Sequence, residues 1–513
     1  MSKIRCLFLV VVLFPIQMLL AQTNKPIRIE IPWNSSAEPF VVAPCAENGL
    51  VLFYATNQYP DKNHAVWVFN LYDKNLQKVW TKEYPVIKNF NYQQSDFKDG
   101  ILNLCFLKDG KSADDNNFEI LRITLYPQNF EEFLGKTPDK DEILQFKVFN
   151  NMAFIGLAAG KNENSLFTFN FQLNKMDTIS IDNQSETRIE KINFDSVTRQ
   201  INILVKQTEK RKQKTYYNTY NLSGKLQHTL FLNPKNEDVI INSAEMFSTN
   251  ANSKLIIGTF STKSVRNSSV DLEGSEQSSG FFTYTVTGSA IDTGNFIRFT
   301  SLQNFYTYSN SEDYLKMKKK AEKMAKSGKE YDYAYNLLVH DIVNKNGKYI
   351  LVVEAFHPEY HTEQSFVYNY YGQPFNNTVT VFDGYRYSNA IVLAFDSTGN
   401  ESWDNGMELW NILAKDIKKR VNVSFDGEEI VLAYSSEGKI AYKIIKEKET
   451  VDEISYSTID TNFNNDELTS DTGNGLELWY KNYFIAYGYQ SVRNNSMVDN
   501  KRAVFYINKI AFQ

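Results

Sequence analysis

Asn346-Gly347-Lys348-Tyr349-Ile350-Leu351-Val352-Val353-Glu354-Ala355-Phe356 reads as a tight turn feeding a strand. Asn-Gly favours the left-handed dihedrals of a two-residue hairpin. The apolar, β-branched run behind it suits a pleated, well-buried surface. The same order returns along the chain. Asn48-Gly49 precedes LVLFYA (50–55), Asp99-Gly100 precedes ILNLCFL (101–107), and Asn150-Asn151 precedes MAFIGLAA (152–159). Asp426-Gly427 precedes EEIVLAY (428–434), and Lys481-Asn482 precedes YFIAYGY (483–489). Self-similarity of this kind marks a repeat architecture.

Working outward from these turns, the chain divides into about eight units. They run from Phe40 to Tyr84, Phe90 to Lys136, Phe146 to Ile181, Arg188 to Leu232, Val239 to Phe299, Asn336 to Leu409 and Arg420 to Ile459. The eighth has three clear strands, LELWY (476–480), YFIAYGY and RAVFYINKIAF (502–512). The leftover IRIEI (27–31) supplies the fourth, so the two ends of the chain are expected to pair. Proline is scarce, at 12 residues, and no Pro-rich or Ser/Gly-rich spacer divides the chain. A single domain over 22–513 is therefore expected despite the length. Aromatic content is high, with 36 Phe and 31 Tyr, as half-buried sheets prefer.

A second motif supports the division. Asp73 to Trp80 (DKNLQKVW) and Asp396 to Trp403 (DSTGNESW) share one spacing, and Asn221 to His228 (NLSGKLQH) follows the same form. Asp or Asn at the first place can accept hydrogen bonds from the turn backbone. This hairpin resembles the outer hairpin of blades in exported bacterial β-propellers. The resemblance is one of architecture, covers most of the chain after residue 21 and names no particular family. It implies an all-β propeller with eight blades, or seven as the alternative, closed by the N-terminal strand and carrying one helical insertion. Radial stacking buries both faces of every sheet, and ring closure leaves only short edges. A β-sandwich pair is the competing architecture.

The first 21 residues have the pattern of a secretory signal peptide: Lys3 and Arg5, an apolar run from Leu7, and Ala21 before Gln22. The run is too short for a spanning helix, and Pro15 and Gln17 interrupt it. Export to the periplasm, the cell surface or the medium is expected, with no membrane-spanning segment left after cleavage. Cleavage would remove two of 55 basic groups and none of 60 acids, giving 53 − 60 = −7. A mildly acidic chain argues against nucleic acid as a partner, because that needs a basic face. Cys45 and Cys105 remain, and Cys105 sits inside a strand. They read as small buried hydrophobes, with a disulfide as the alternative.

Both long insertions fall in unit six, and insertions in repeat scaffolds often mark the binding face. The first, at about 303–335, contains a basic helix with Ser311 as N-cap, an apolar stripe of Tyr314, Met317, Ala321 and Met324, and Gly328 at its end. The second, at about 357–389, is rich in aromatic side chains. Tyr360, Tyr368, Tyr370, Tyr371, Phe375, Tyr385 and Tyr387 form a candidate surface for a glycan or peptide. Mutual packing of these rings, to hold a long loop together, is the alternative. In an extended chain, His357, Glu359, His361 and Glu363 fall on one face, where a divalent metal could bind. Ordinary polar rim residues are the competing reading. No cofactor is expected otherwise.

No nucleophile elbow, P-loop or dinucleotide fingerprint is present. Glu428, Glu429, Asp341 and Glu354 are carboxylates without a recognisable catalytic spacing. The favoured reading is a non-catalytic exported propeller that binds a glycan, peptide or cell-envelope protein through unit six. A polysaccharide-active hydrolase or lyase and a structural subunit of an envelope assembly are the alternatives.

Overall fold

The structure is a computed structural model. It describes residues 27–512 except 35–38, 109–116, 138–140, 160–162, 180–185, 196, 210–211, 233–238, 251, 263–276, 289, 292–293, 306–311, 329–332, 369–370, 372–373, 437, 447–448, 451–452, 464 and 498–499. The expected leader, the N-cap Ser311 and the candidate ligand contact Tyr370 lie outside the described residues.

The hairpin turns form as their residues dictate. Asp99-Gly100 and Asn346-Gly347 both take positive φ, at 52° with 78° in each pair. Left-handed dihedrals at both central places match the twist of the flanking strands. They join strands that pair without a gap, Lys98 to Ile101 and Lys345 to Lys348. Gly49 serves a different need. It follows a short 3-10 turn at φ 115°, and a Cβ there would lie 2.1 Å from the Tyr72 carbonyl oxygen.

The outer turns obey their own chemistry. The Oδ1 of Asp73 accepts the amides of Asn75 and Gln77, both at 2.8 Å. Asp396 accepts Thr398 and Asn400, both at 2.9 Å. Asn221 accepts Ser223 at 3.1 Å and Lys225 at 2.9 Å. Asn170 holds its turn in a related way, accepting the amides of Gln172 and Leu173.

These antiparallel units are arranged as a β-propeller. Among the described residues, the strands make seven hydrogen-bonded sheets. Counted this way the propeller has seven blades, the alternative number in place of the expected eight. The cause is a single parallel bridge, Glu163 to Thr187, which joins units three and four into one eight-stranded sheet. The halves of that sheet also pack on each other, through Phe154, Leu166, Ile189, Ile203 and Tyr220. Each neighbouring pair of units traps one such apolar cluster.

The ring closes on itself. Ile27–Pro32 pairs antiparallel with the last strand, from Ile27 with Lys509 to Pro32 with Val504. An ionic latch backs this ladder. Arg28 donates to Glu30 at 2.9 Å and to Gln490 at 2.7 Å. Arg502 reaches Glu30 at 2.9 Å and the buried Asp466 at 2.5 Å. Burial opposes the Asp466 charge, but the bonds from Arg502 and Asn494 outweigh it and hold the carboxyl down at about 2.

Cys45 and Cys105 are free and buried, and burial pushes both thiols up. They act as core hydrophobes. The helix spans Glu312–Lys326, ended by Gly328 at φ 69° with its amide on Ala325 O. Met317, Ala321 and Met324 are its least exposed described side chains, while Leu315 is exposed.

Candidate functional site

The expected Tyr-rich loop is a β-ribbon. Lys348–Tyr368 and Pro374–Phe395 are continuous strands, paired from Tyr349 with Phe395 out to Tyr368 with Pro374. Their inner halves belong to the blade. Their outer halves leave it as a two-stranded arm, exposed along 361–365 and 378–380. The alternating Thr378, Val379, Thr380 and Val381 suit an extended, paired strand.

The candidate aromatic residues separate along this arm. Tyr387 is 1 % exposed, stacks on Phe356 at 5.6 Å and donates to Lys418 O at 2.6 Å. It is a core residue and not a ligand contact, because it faces the junction with unit seven. Tyr385 is half-buried against Phe356 and Phe382. Tyr360 is exposed and packs at a tilt on Phe382, 5.4 Å between ring centres, and Tyr371 at the tip is 85 % exposed. Tyr368 and Phe375 occupy the last paired positions.

The histidine face lies on an extended strand, but Glu359, His361 and Glu363 are already paired. Glu359 forms a two-pronged pair with Arg386, at 2.5 and 2.8 Å, which holds its carboxyl below the usual range. His361 contacts Asp383 at 2.5 Å and Glu363 at 3.1 Å, and these bonds raise its pKa. The His357 ring touches solvent yet is crowded by the blade rim. Burial lowers its pKa, Glu359 opposes this, and Arg386 adds to it. Among the described residues no group of three or more His, Cys, Asp or Glu side chains is placed to hold a metal.

A second feature lies on the axis. The innermost strands enclose a cavity of about 720 Å³, lined from units two to six and by Lys419. Each of four innermost strands carries one bulge, at Gln93, Leu144, Glu190 and Asn242. A bulge re-aims the side chains that follow it. Gln94 accordingly reaches across to the Phe146 amide at 3.0 Å, and Gln145 to the Ile192 amide at 2.7 Å. The corresponding residue of unit four is Lys191. Its ammonium lies 2.5 Å from Glu245 and 3.0 Å from Asp341. Glu245 also accepts Asn193 Nδ2 at 2.9 Å and the Ile342 amide at 3.2 Å.

Electrostatics follow from this packing. Burial raises the pKa of Glu245, and Lys191 opposes it. Burial works against the charge of Lys191, but its two carboxylates together outweigh it. Asp341 opens to the cavity and is ringed by protein beyond it. Lys191 holds its carboxyl far below the ordinary range, with Lys419 and Lys147 assisting. Nearby, Glu354 is fully buried, with His340 Nε2 at 2.7 Å and the amides of Arg420 and Val421 at 2.8 and 3.0 Å. It locks unit six to unit seven. Sequence reading weighed Asp341 and Glu354 only as isolated acids and missed Lys191, Glu245 and Lys419. Their partners come from separate units, and the bulges that aim them show only in the strand pairing.

No protein-family model matches the chain, and no curated protein matches it. Solved structures do resemble it. A polysaccharide lyase, Uly1, is 10 % identical with a TM-score of 0.40, over 93 % of this chain and 100 % of that one. Porphyromonas gingivalis dipeptidyl peptidase 4 is 10 % identical with a TM-score of 0.40, over 90 % and 58 %. A prolyl endopeptidase is 9 % identical with a TM-score of 0.39, over 90 % and 54 %. The chain thus spans the whole lyase and little more than half of each peptidase. Likeness at this level carries no residue roles with it.

Proposed function

We propose that this protein is an exported, non-catalytic binding propeller whose unit-six arm engages a glycan, a peptide or a cell-envelope protein. One observation carries the reading: a paired ribbon that leaves its blade with both faces exposed. A two-stranded hairpin alone is marginally stable in water. Its exposed Tyr360, Val379 and Tyr371 offer contact area on the arm. Edge backbone groups on such a ribbon can also pair with an extended partner segment. The signal-like first 21 residues support export, and N-terminal sequencing of the mature chain would locate the cut.

The test is replacement of His361–Val381 by Asn-Gly, which keeps Tyr360 paired with Phe382. Glycan arrays and peptide libraries are screened with both forms. Ligands of the full chain should be lost by the shortened one at unchanged melting temperature. Equal binding by both forms would remove the arm from the reading.

A further inference from the structure

The channel is built from residues that the arm does not touch, and its chemistry points to a different ligand. Four carboxylates border the cavity, and each is already engaged. Glu245 is held by Lys191, Asn193 and the Ile342 amide. Asp195 accepts Ser248 Oγ at 2.5 Å and the amides of Val197 and Thr198 at 2.9 and 3.2 Å. Asp96 accepts the Val148 amide at 3.1 Å, and Asp341 has Lys191 at 3.0 Å.

The ammonium groups are left in another condition. Only Lys191 is fully used. Lys147 lies 3.5 Å from Asp96, at the long end of an ion pair. Lys98 stands over the rings of Phe149 and Phe194, at 5.6 and 5.1 Å. Lys419 makes no hydrogen bond or ion pair among the described residues. Lys147, Lys191 and Lys419 all line the cavity with Asp341, and all three lower the pKa of its carboxyl, Lys191 most. Formal charges around the cavity balance, four lysines against four carboxylates, but every carboxylate already has a partner while Lys419 has none among the described residues. Beside them Phe149 and Phe194 stack at 4.3 Å, and Phe97 and Phe247 also line the cavity.

We propose that the axial cavity binds a small organic anion, its carboxylate or phosphate held by Lys147 and Lys419 and its apolar body laid against Phe149 and Phe194. The volume lies within the range of small-molecule sites. An anion there replaces water on Lys419 and adds to the single long contact that Lys147 makes with Asp96, inside walls that weaken screening.

Isothermal titration of the full chain with benzoate, glucuronate and inorganic phosphate tests this. Benzoate should bind more tightly than phosphate, because only it can use the ring wall. Lys419→Met and Lys147→Met should each weaken binding about tenfold, the usual scale for a lost charged hydrogen bond. Both keep the side-chain stem, so melting temperatures should match the parent. High salt should weaken binding. The proposal falls if none of the three anions gives saturable heat, or if the double variant Lys147→Met with Lys419→Met binds as the parent does. Phosphate binding as tightly as benzoate would overturn the assignment of the Phe149–Phe194 wall.

Discussion

The two strands of unit six run from the blade into the arm without interruption, yet their halves live under different physics. From Leu351 to Phe356 every residue is fully buried. Alternate side chains feed two cores: Leu351, Val353 and Ala355 pack toward unit five, and Val352 and Phe356 toward unit seven. Beyond Glu359 the same ladder continues, but both faces meet solvent. Backbone pairing extends a strand, whereas burial makes it stable. Hydrogen bonds exchanged with water contribute about 1 kcal/mol net, while burying a large side chain contributes about 1.5–3 kcal/mol.

The contrast can be broken most forcefully at its inner end. Phe356→Ala should destabilise the fold by about 3–5 kcal/mol, read by urea denaturation. A loss below about 1 kcal/mol would mean that the inner half is not the anchor. Glu354→Ala comes next. It strands the amides of Arg420 and Val421 and should lower stability by about 2–3 kcal/mol.

At the boundary, Arg386→Met removes a partly exposed, two-pronged pair and should cost about 0.5–1 kcal/mol at neutral pH. Glu359 is depressed in the fold, so its contribution is present above the unfolded value near 4.5. It fades as pH falls through the folded pKa. The difference between parent and variant should therefore shrink in acid. Replacing His361–Val381 by Asn-Gly should change stability by less than about 1 kcal/mol, since its described side chains at 361–365 and 378–380 are exposed.

The finest probe uses two histidines on one strand. NMR titration should place His357 below 6.5 and His361 above it. Lowered His357 favours the fold above 6.5, with that contribution lost as pH falls toward its folded pKa. Raised His361 does the reverse, contributing below 6.5 and losing it as pH rises through its folded pKa. Asp383→Asn should bring His361 back toward 6.5 and leave His357 in place. Equal midpoints for both rings would dissolve the distinction between rim and arm.

Much of the fold was readable because it rests on local chemistry. Asp99-Gly100 and Asn346-Gly347 could hardly avoid their turns, and Asp73, Asn221 and Asp396 carry their own capping oxygen. The spare strand at 27–31 announced the closure by leaving the eighth unit one strand short. The candidate sites were less readable. Tyr387 and Tyr371 belong to one aromatic run in sequence, yet one lies in a core and the other at the tip of an arm. Composition gives both the same weight, and only the neighbouring unit seven separates them.

By itself, the sequence determined a ring of small antiparallel sheets, the place of the turns and the pairing of head with tail. These follow from dihedral preferences and hydrophobic patterning within a few dozen residues. Tertiary structure alone decided the merging of units three and four, the extension of unit six into a ribbon, and the meeting of Lys191, Glu245, Asp341 and Lys419 on the axis. Those outcomes depend on groups brought together from different units, where distance in the chain says nothing about distance in space.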